Sequence, residues 1–269
     1  MRQLLADPGG DTTVDLTTAY LPPPLATPHD PHPTAGADGP SGARRRPWTM
    51  ANMVASVDGA MEVAGHSAGL SNPGDRAVFH TLRSLADVIV VGAGTARTER
   101  YGPARIAEDL TAARLQRNQS PTPPVALVTN SGRLDPDLPV FNPTGTDTSP
   151  PPIVVTCAQG AEAAGTLGGS AEVVVVGDAA VDLTAMFDVL GDRGMRVAIC
   201  EGGPILNASM MALGLLDELC LTLSPLAVGG SSGRIVAGVP ALPGPAPLSL
   251  VGLLEHDSSL FTRWRVGPT

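Results

Sequence analysis

The sequence predicts an α/β fold, with a mostly parallel central sheet and an antiparallel extension towards its C-terminal end. Three observations lead there. Short, wholly apolar runs of strand length recur through the middle of the chain, and such runs belong to strands buried on both faces of a parallel sheet. Between several of them lie segments whose apolar residues fall three and four apart, the helical spacing. In the last quarter, strand-like runs follow one another without helices between them.

Taken in order, residues 1–46 are rich in Pro, Gly, Thr and Asp, with Pro22-Pro23-Pro24 and the stretch from Pro28 to Pro33. Neither period is present, so they read as a flexible extension to a single domain over 47–269. His29, His32 and the cluster Arg44-Arg45-Arg46 read as solvated groups within it. Thr49 to Ser56 is a strand ending in the turn Asp58-Gly59. Asn72-Pro73-Gly74-Asp75 opens a helix, with Asn as N-cap, Pro at the first helical position and an acid in the first turn. Its buried face is Val78, Leu82 and Leu85. Val88 to Val91, Val125 to Val128, Ile153 to Val155, Val173 to Val176 and Val197 to Ile199 are the apolar strands, with a helix carrying Leu183, Met186 and Leu190 among them. A further helix starts at Pro204, presents Leu206, Met210 and Leu213, and stops at Gly214. Glu218 to Leu223, Leu248 to Leu254 and Leu260 to Val266 form the antiparallel part.

Composition excludes several functions. A net charge of −9 leaves no surplus for the basic face that nucleic acid requires. The apolar runs are too short to span a membrane, and Asp7 and Asp11 stand where a signal peptide needs an apolar core, so a cytoplasmic location is expected. Cys157, Cys200 and Cys220 form no CxxC pair and have no close His, so no metal site is expected and the thiols read as free and buried. All 17 basic residues are Arg. Without Lys there is no Schiff base and no Walker loop, so any phosphate must be held by Arg, hydroxyls, backbone N–H groups and helix N-termini.

Two glycine turns close predicted strands, where α/β enzymes place their ligands. In Gly92-Ala93-Gly94-Thr95-Ala96-Arg97 small residues admit a phosphate to the backbone, with Thr95 and Arg97 able to bond its oxygens; read alone, this is more often a plain tight turn. In Glu201-Gly202-Gly203-Pro204 a carboxylate is followed by glycines that expose a helix N-terminus to an anion, and a solvated Glu on an ordinary turn fits equally well. A third turn, Thr129-Asn130-Ser131-Gly132-Arg133, ends another strand with polar donors and an Arg suited to a 2′-phosphate, although read alone it is better taken as a plain turn.

Ala55-Ser56-Val57-Asp58-Gly59, then Gly92-Ala93-Gly94-Thr95, Glu201-Gly202-Gly203-Pro204, Asp217-Glu218-Leu219, Ser224-Pro225 and Gly229-Gly230, in that order, resemble the RibD C-terminal reductase family. The resemblance covers about residues 47–266. It implies a dihydrofolate reductase-like three-layer fold, a homodimer, and NADPH-dependent reduction of a ribosylamino pyrimidine phosphate in riboflavin biosynthesis. It also implies roles. Asp58 and Glu201 would be the catalytic carboxylates, with Asp58 or water carrying the proton. Asn52, Ser67, Arg83 and Glu99 would meet the substrate. Val54, Gly69, Gly92, Thr95, Arg97, Ser131, Arg133, Gly202, Gly203, Pro204, Ile205, Leu206 and Asn207 would meet the cofactor. Asn52 stands where bifunctional members carry Lys, and of the acids and Arg that many members show after the Thr95 turn, only Glu99 corresponds within Glu99-Arg100-Tyr101-Gly102-Pro103. The zinc deaminase signatures HxE and PCxxC are absent. Two other readings stand beside this one: reduction of dihydrofolate or a related pterin, and a non-catalytic NADPH-binding protein.

Overall fold

The computed structural model describes residues 1–4, 14–23, 46–143, 149–238, 242 and 244–267. Its elements are β1 (Arg2–Gln3), α1 (Leu16–Tyr20), β2 (Trp48–Ser56), α2 (Pro73–Leu85), β3 (Val88–Gly92), α3 (Ala93–Thr98), α4 (Glu108–Gln116), β4 (Val125–Val128), β5 (Ile153–Thr156), α5 (Ala161–Gly165), β6 (Glu172–Val175), α6 (Leu183–Asp192), β7 (Val197–Cys200), α7 (Pro204–Ala212), β8 (Glu218–Ser224), β9 (Leu248–His256) and β10 (Ser259–Val266). The α/β class, with parallel strands in the middle and antiparallel strands at the end, is as expected. The chain divides into two compact units: Met1–Leu21 with Thr49–Leu82 and Cys200–Thr269, and Pro22–Trp48 with Arg83–Ile199.

The first unit holds strands in the order β1-β9-β10-β8-β2. β9 and β10 form an antiparallel hairpin, β10 runs antiparallel to β8, and β8 runs parallel to β2 with Met50 opposite Glu218 and Ser56 opposite Ser224. That register brings the carboxyl ends of β2 and β8 level. Asn72 caps α2 as its sequence predicts, accepting from the Asp75 N–H at 2.9 Å.

Part of the stretch expected to be free of structure is ordered. β1 pairs with β9, and α1 is capped by Asp15, which accepts from the N–H groups of Thr17 and Thr18. Arg263 explains the docking of α1: it donates to the carbonyls of Ala19 (2.8 Å) and Leu21 (3.3 Å) while paired with buried Glu218. This partner lies far along the sequence, so no local pattern announces it. His29, His32, Arg44 and Arg45 lie outside the described residues.

In the second unit the order is β7-β3-β4-β5-β6, with β3 to β6 parallel. Val88 to Val91, Val125 to Leu127, Ile153 to Val155 and Val197 to Ile199 are buried, matching the apolar runs. β6 departs from expectation. It has a neighbour on one side only, and Val175 is 47% exposed, because an edge strand lacks the second flank that buries its fellows. Leu213 likewise does not complete the buried face of α7: that helix ends at Ala212 and Leu213 is exposed.

Candidate active site

In the first unit the residues of interest gather at the carboxyl end of β2. Asp58 sits in the turn after Ser56, exposed to solvent, yet its carboxylate is fully engaged. It accepts from the Ser56 hydroxyl, from the Val228 N–H at 3.1 Å and from the Gly229 N–H at 2.7 Å. The Ser56 hydroxyl first, then the two backbone N–H groups, lower its pKa to about 2. Such a carboxylate is ionised throughout the neutral range and has no proton to donate. Of the two expected proton carriers, Asp58 or water, this bonding favours water, since the carboxylate staples one loop to another.

The same unit holds the turn that follows β7, where Gly202 lies by Met53 of β2. Glu201 is 7% exposed, and the peptide between Gly202 and Gly203 is cis. Gly202 has φ +92°, a conformation that disfavours any side chain. Gly203 is the N-cap of α7 and offers no side-chain cap, and Pro204 occupies the first turn without an N–H of its own. The helix therefore begins with backbone donors that no side chain claims. Ile205 is exposed beside them, whereas Leu206 is buried in the core.

Asn207 also differs from expectation. It is 1% exposed, and its amide is spent inside the protein: Nδ2 donates to the Ile235 carbonyl at 2.9 Å and to Met53 Sδ at 3.2 Å, while Oδ1 accepts from the Cys200 thiol. It joins β7, β2 and the loop after β8, and leaves no side-chain atom for a cofactor. Gly69 has a packing reason for its size, since a Cβ there would lie 2.7 Å from Val63 Cβ. Ser67 opens the same 3-10 turn, and Val54 and Asn52 lie half-buried along β2. Asn52 Oδ1 is buried and no described group donates to it. A buried acceptor left in this way carries a penalty of about 1–3 kcal/mol that a ligand donor would remove.

In the second unit, Gly92 ends β3 and is the N-cap of α3, again without a side-chain cap. A Cβ on Gly94 would meet nothing within 4 Å, so the turn faces open space. Thr95 is half-buried in that first turn, Arg97 is exposed, and Glu99 caps the C-terminus of α3. Gly92 is in register with Val128, which sets the turn of Ser131 and Arg133 beside α3. Ser131 and Arg133 are both exposed, and Ser131 Oγ accepts from the Arg133 N–H at 3.3 Å. Gly132 has φ +65° and lies against Gly160, where a Cβ would fall 1.9 Å from the carbonyl oxygen.

Arg83, in the last turn of α2, places its guanidinium 5.9 Å from the centre of the Tyr101 ring. Its carbonyl is one of several gripped by Arg114, a residue that carried no signal of function in the sequence. Among the described residues, no three or more His, Cys, Asp or Glu stand together as a metal site. No helix among them is long and apolar enough to cross a membrane.

With this geometry in place, comparison with known proteins is informative. The RibD C-terminal domain profile matches residues 47–257. The 2,5-diamino-6-ribosylamino-4(3H)-pyrimidinone 5′-phosphate reductase of Methanothermobacter thermautotrophicus is 32% identical over 191 residues, covering 70% of this chain and 82% of that protein. The reductase of the same name from Archaeoglobus fulgidus is 26% identical over 192 residues, covering 71% and 86%. Among solved structures, a pyrimidine reductase-like protein from Corynebacterium diphtheriae aligns with a TM-score of 0.76 at 26% identity, over 83% of this chain and 93% of its own. The Thermotoga maritima deaminase/reductase aligns at 0.61 with 18% identity, over 83% and 58%, a likeness of fold alone.

Proposed function

Because the chain belongs to the RibD C-terminal domain family, we propose that it is an NADPH-dependent oxidoreductase of riboflavin biosynthesis, reducing a ribosylaminopyrimidine 5′-phosphate to its ribitylamino product. The observation that carries the reading is the strand-end glycine turn at Glu201–Pro204, which leads into a helix whose N-terminus has no side-chain cap. Such a turn fits a cofactor phosphate in a chain that has no Lys to hold it. The backbone N–H groups of Ile205 and Leu206 would take that phosphate, and Thr95 is a cofactor contact carried over from the family. Ser131 and Arg133 would take the adenosine end, where a guanidinium suits the 2′-phosphate that separates NADPH from NADH.

The bound nicotinamide would supply a hydride. In the reaction a hydride adds to the sugar C1 of the ring-opened imine and a proton adds to its nitrogen, so the carbon is reduced as the cofactor is oxidised. Glu201 would hold the N–H edge of the pyrimidine, and Asn52 Oδ1 would accept from a second donor on it. Ser67, Arg83 and Glu99 are substrate contacts carried over from the family. The proton comes from water in this reading, because Asp58 is ionised.

Two finer points belong to the same proposal. The first half of β9 exposes Leu248, Leu250 and Val251, a surface suited to a second copy in a homodimer. Three free cysteines suit the reducing cytoplasm.

The test is NADPH oxidation, followed by absorbance, with the pyrimidine phosphate and separately with dihydrofolate. Turnover of the pyrimidine supports the proposal, and turnover of dihydrofolate alone replaces the substrate. Cofactor binding without turnover of either points to the non-catalytic reading. Failure to bind NADPH sinks the proposal.

A further inference from the structure

The loop after β8 is tied down along its length by groups from two other segments. At its start, the Val57 N–H donates to the Leu226 carbonyl at 2.9 Å, and Asp58 accepts from Val228 and Gly229. Gly229 and Gly230 have φ of +67° and +70°, the left-handed region that glycine tolerates. The successive N–H groups of Val228 and Gly229 both donate to the Asp58 carboxylate. Midway, Ser232 Oγ accepts from the Met61 N–H at 3.2 Å, and Gly233 packs so closely on Met61 that a Cβ would lie 3.0 Å from its methyl carbon. At the far end, the Ile235 carbonyl accepts from Asn207, and the Ala237 N–H donates to the Pro204 carbonyl at 3.2 Å. Gly238 then lies on Ile205. Leu226 to Gly238 is thus a strap running from the end of β2 to the first turn of α7.

We infer that Asp58 and Asn207 are positioning residues, which clamp this strap from its two ends and so fix the wall between the β2 turn and the Gly202-Gly203 turn. The inference rests on the proposed reductase site, but it assigns to two residues a task that touches neither hydride nor proton. Asp58 suits the task because a charged acceptor bonds backbone N–H groups about twice as strongly as a neutral one. Asn207 suits it because an amide can donate to the strap while accepting from Cys200, a pairing that neither Asp nor Leu reproduces. Both clamps are set 28 or more residues apart in sequence from what they hold, so the strap has no local means of keeping this shape.

The experiment is amide hydrogen exchange on the full chain without substrate or cofactor, joined to steady-state kinetics, for wild type, Asp58→Asn and Asn207→Leu. Asp58 is exposed, so its substitution leaves the fold intact and decides the matter if the Asn207 variant does not fold. Asp58→Asn is expected to speed exchange at Val228 and Gly229 about tenfold while β3 and β4 are unchanged. It should raise KM more than it lowers kcat and leave the pH profile unaltered between pH 5 and 9. Unchanged exchange at the strap overturns the inference, as does a fall in kcat alone with a shifted pH profile, which would make Asp58 a reacting group. Exchange is read on the free protein, so absence of pyrimidine turnover would strike the proposed function and leave the clamp decided separately.

Discussion

Arg114 is the residue whose loss should cost this protein most relative to the attention its sequence draws. It lies in the last turn of α4 and is 0% exposed. Nη1 donates to the carbonyls of Ala86 (2.6 Å), Ser84 (3.0 Å) and Arg83 (3.3 Å), and Nε donates to Ser120 at 2.8 Å. The first three of these carbonyls lie in the last turn of α2 and just after it, where the helix supplies few donors of its own, although Arg83 also accepts from the Ala86 N–H at 3.3 Å. Burial lowers the guanidinium pKa to about 10, so it remains charged at pH 7. Removing it leaves Ser84 served by Arg117 Nη2 at 2.9 Å, Arg83 by the Ala86 N–H at 3.3 Å and exposed Ser120 open to water, but takes the donor from the Ala86 carbonyl. At about 1–3 kcal/mol for the buried group left unpaired, with the other bonds lost besides, Arg114→Ala should cost about 2–4 kcal/mol. Urea unfolding monitored by circular dichroism measures it. Arg114→Met is the sharper variant, since it fills the space and removes the buried charge. If desolvation outweighed the carbonyl bonds, Met would match or exceed wild type. We expect it to lose about 1 kcal/mol or more, and a Met variant as stable as wild type would refute the reasoning.

Three other outcomes are expected. Gly132→Ala should destabilise by about 2–4 kcal/mol through its left-handed backbone and the clash with Gly160, whereas Gly94→Ala, facing open space, should change stability by less than about 1 kcal/mol; equal losses in thermal unfolding would contradict this. Asp58 has a folded-state pKa depressed from 3.8 to about 2, so its contribution is present above pH 4 and disappears as the pH falls through about 2. The difference in urea midpoint between wild type and Asp58→Asn should hold steady from pH 5 to 8, shrink below pH 4 and be lost only below about pH 2; a difference that does not shrink between pH 4 and pH 2 would count against the staple. Arg133→Ser should raise KM for NADPH about tenfold or more while leaving that for NADH unchanged, and parallel losses with both cofactors would remove Arg133 from the 2′-phosphate.

What could be read from the sequence follows from what each element buries. β3, β4, β5 and β7 are apolar on both faces, and that pattern is visible without knowing their neighbours. β6 has the same letters but only one flank, a fact of sheet order that composition does not carry. Helix α4 escapes notice because its buried residue is Arg114 and its Leu115 is 54% exposed, the reverse of an amphipathic signal. At the candidate site, the glycine turns and the Pro204 helix start are legible because turn chemistry is local. The hydrogen bonding of Asp58 is not, since its backbone partners lie 170 and 171 residues away. The inward turn of Asn207 escapes for a similar reason, as Met53 stands 154 residues off.

The parallel pairing of β2 with β8 has a consequence for biosynthesis. The Thr49 N–H is satisfied by Asp217, 168 residues later, and every rung of that ladder waits for the same stretch of chain. At 5–20 residues per second, β2 is made roughly 10–30 s before its partner exists. β3 and β4, in contrast, are separated only by the short stretch that holds α3 and α4 and can pair early. During that interval a nine-residue strand with Trp48, Met50, Ala51 and Ala55 destined for burial has an open edge. A ribosome stalled before residue 218 should therefore hold a nascent chain whose middle resists protease while the Trp48–Ser56 strand remains cleavable and chaperone-bound.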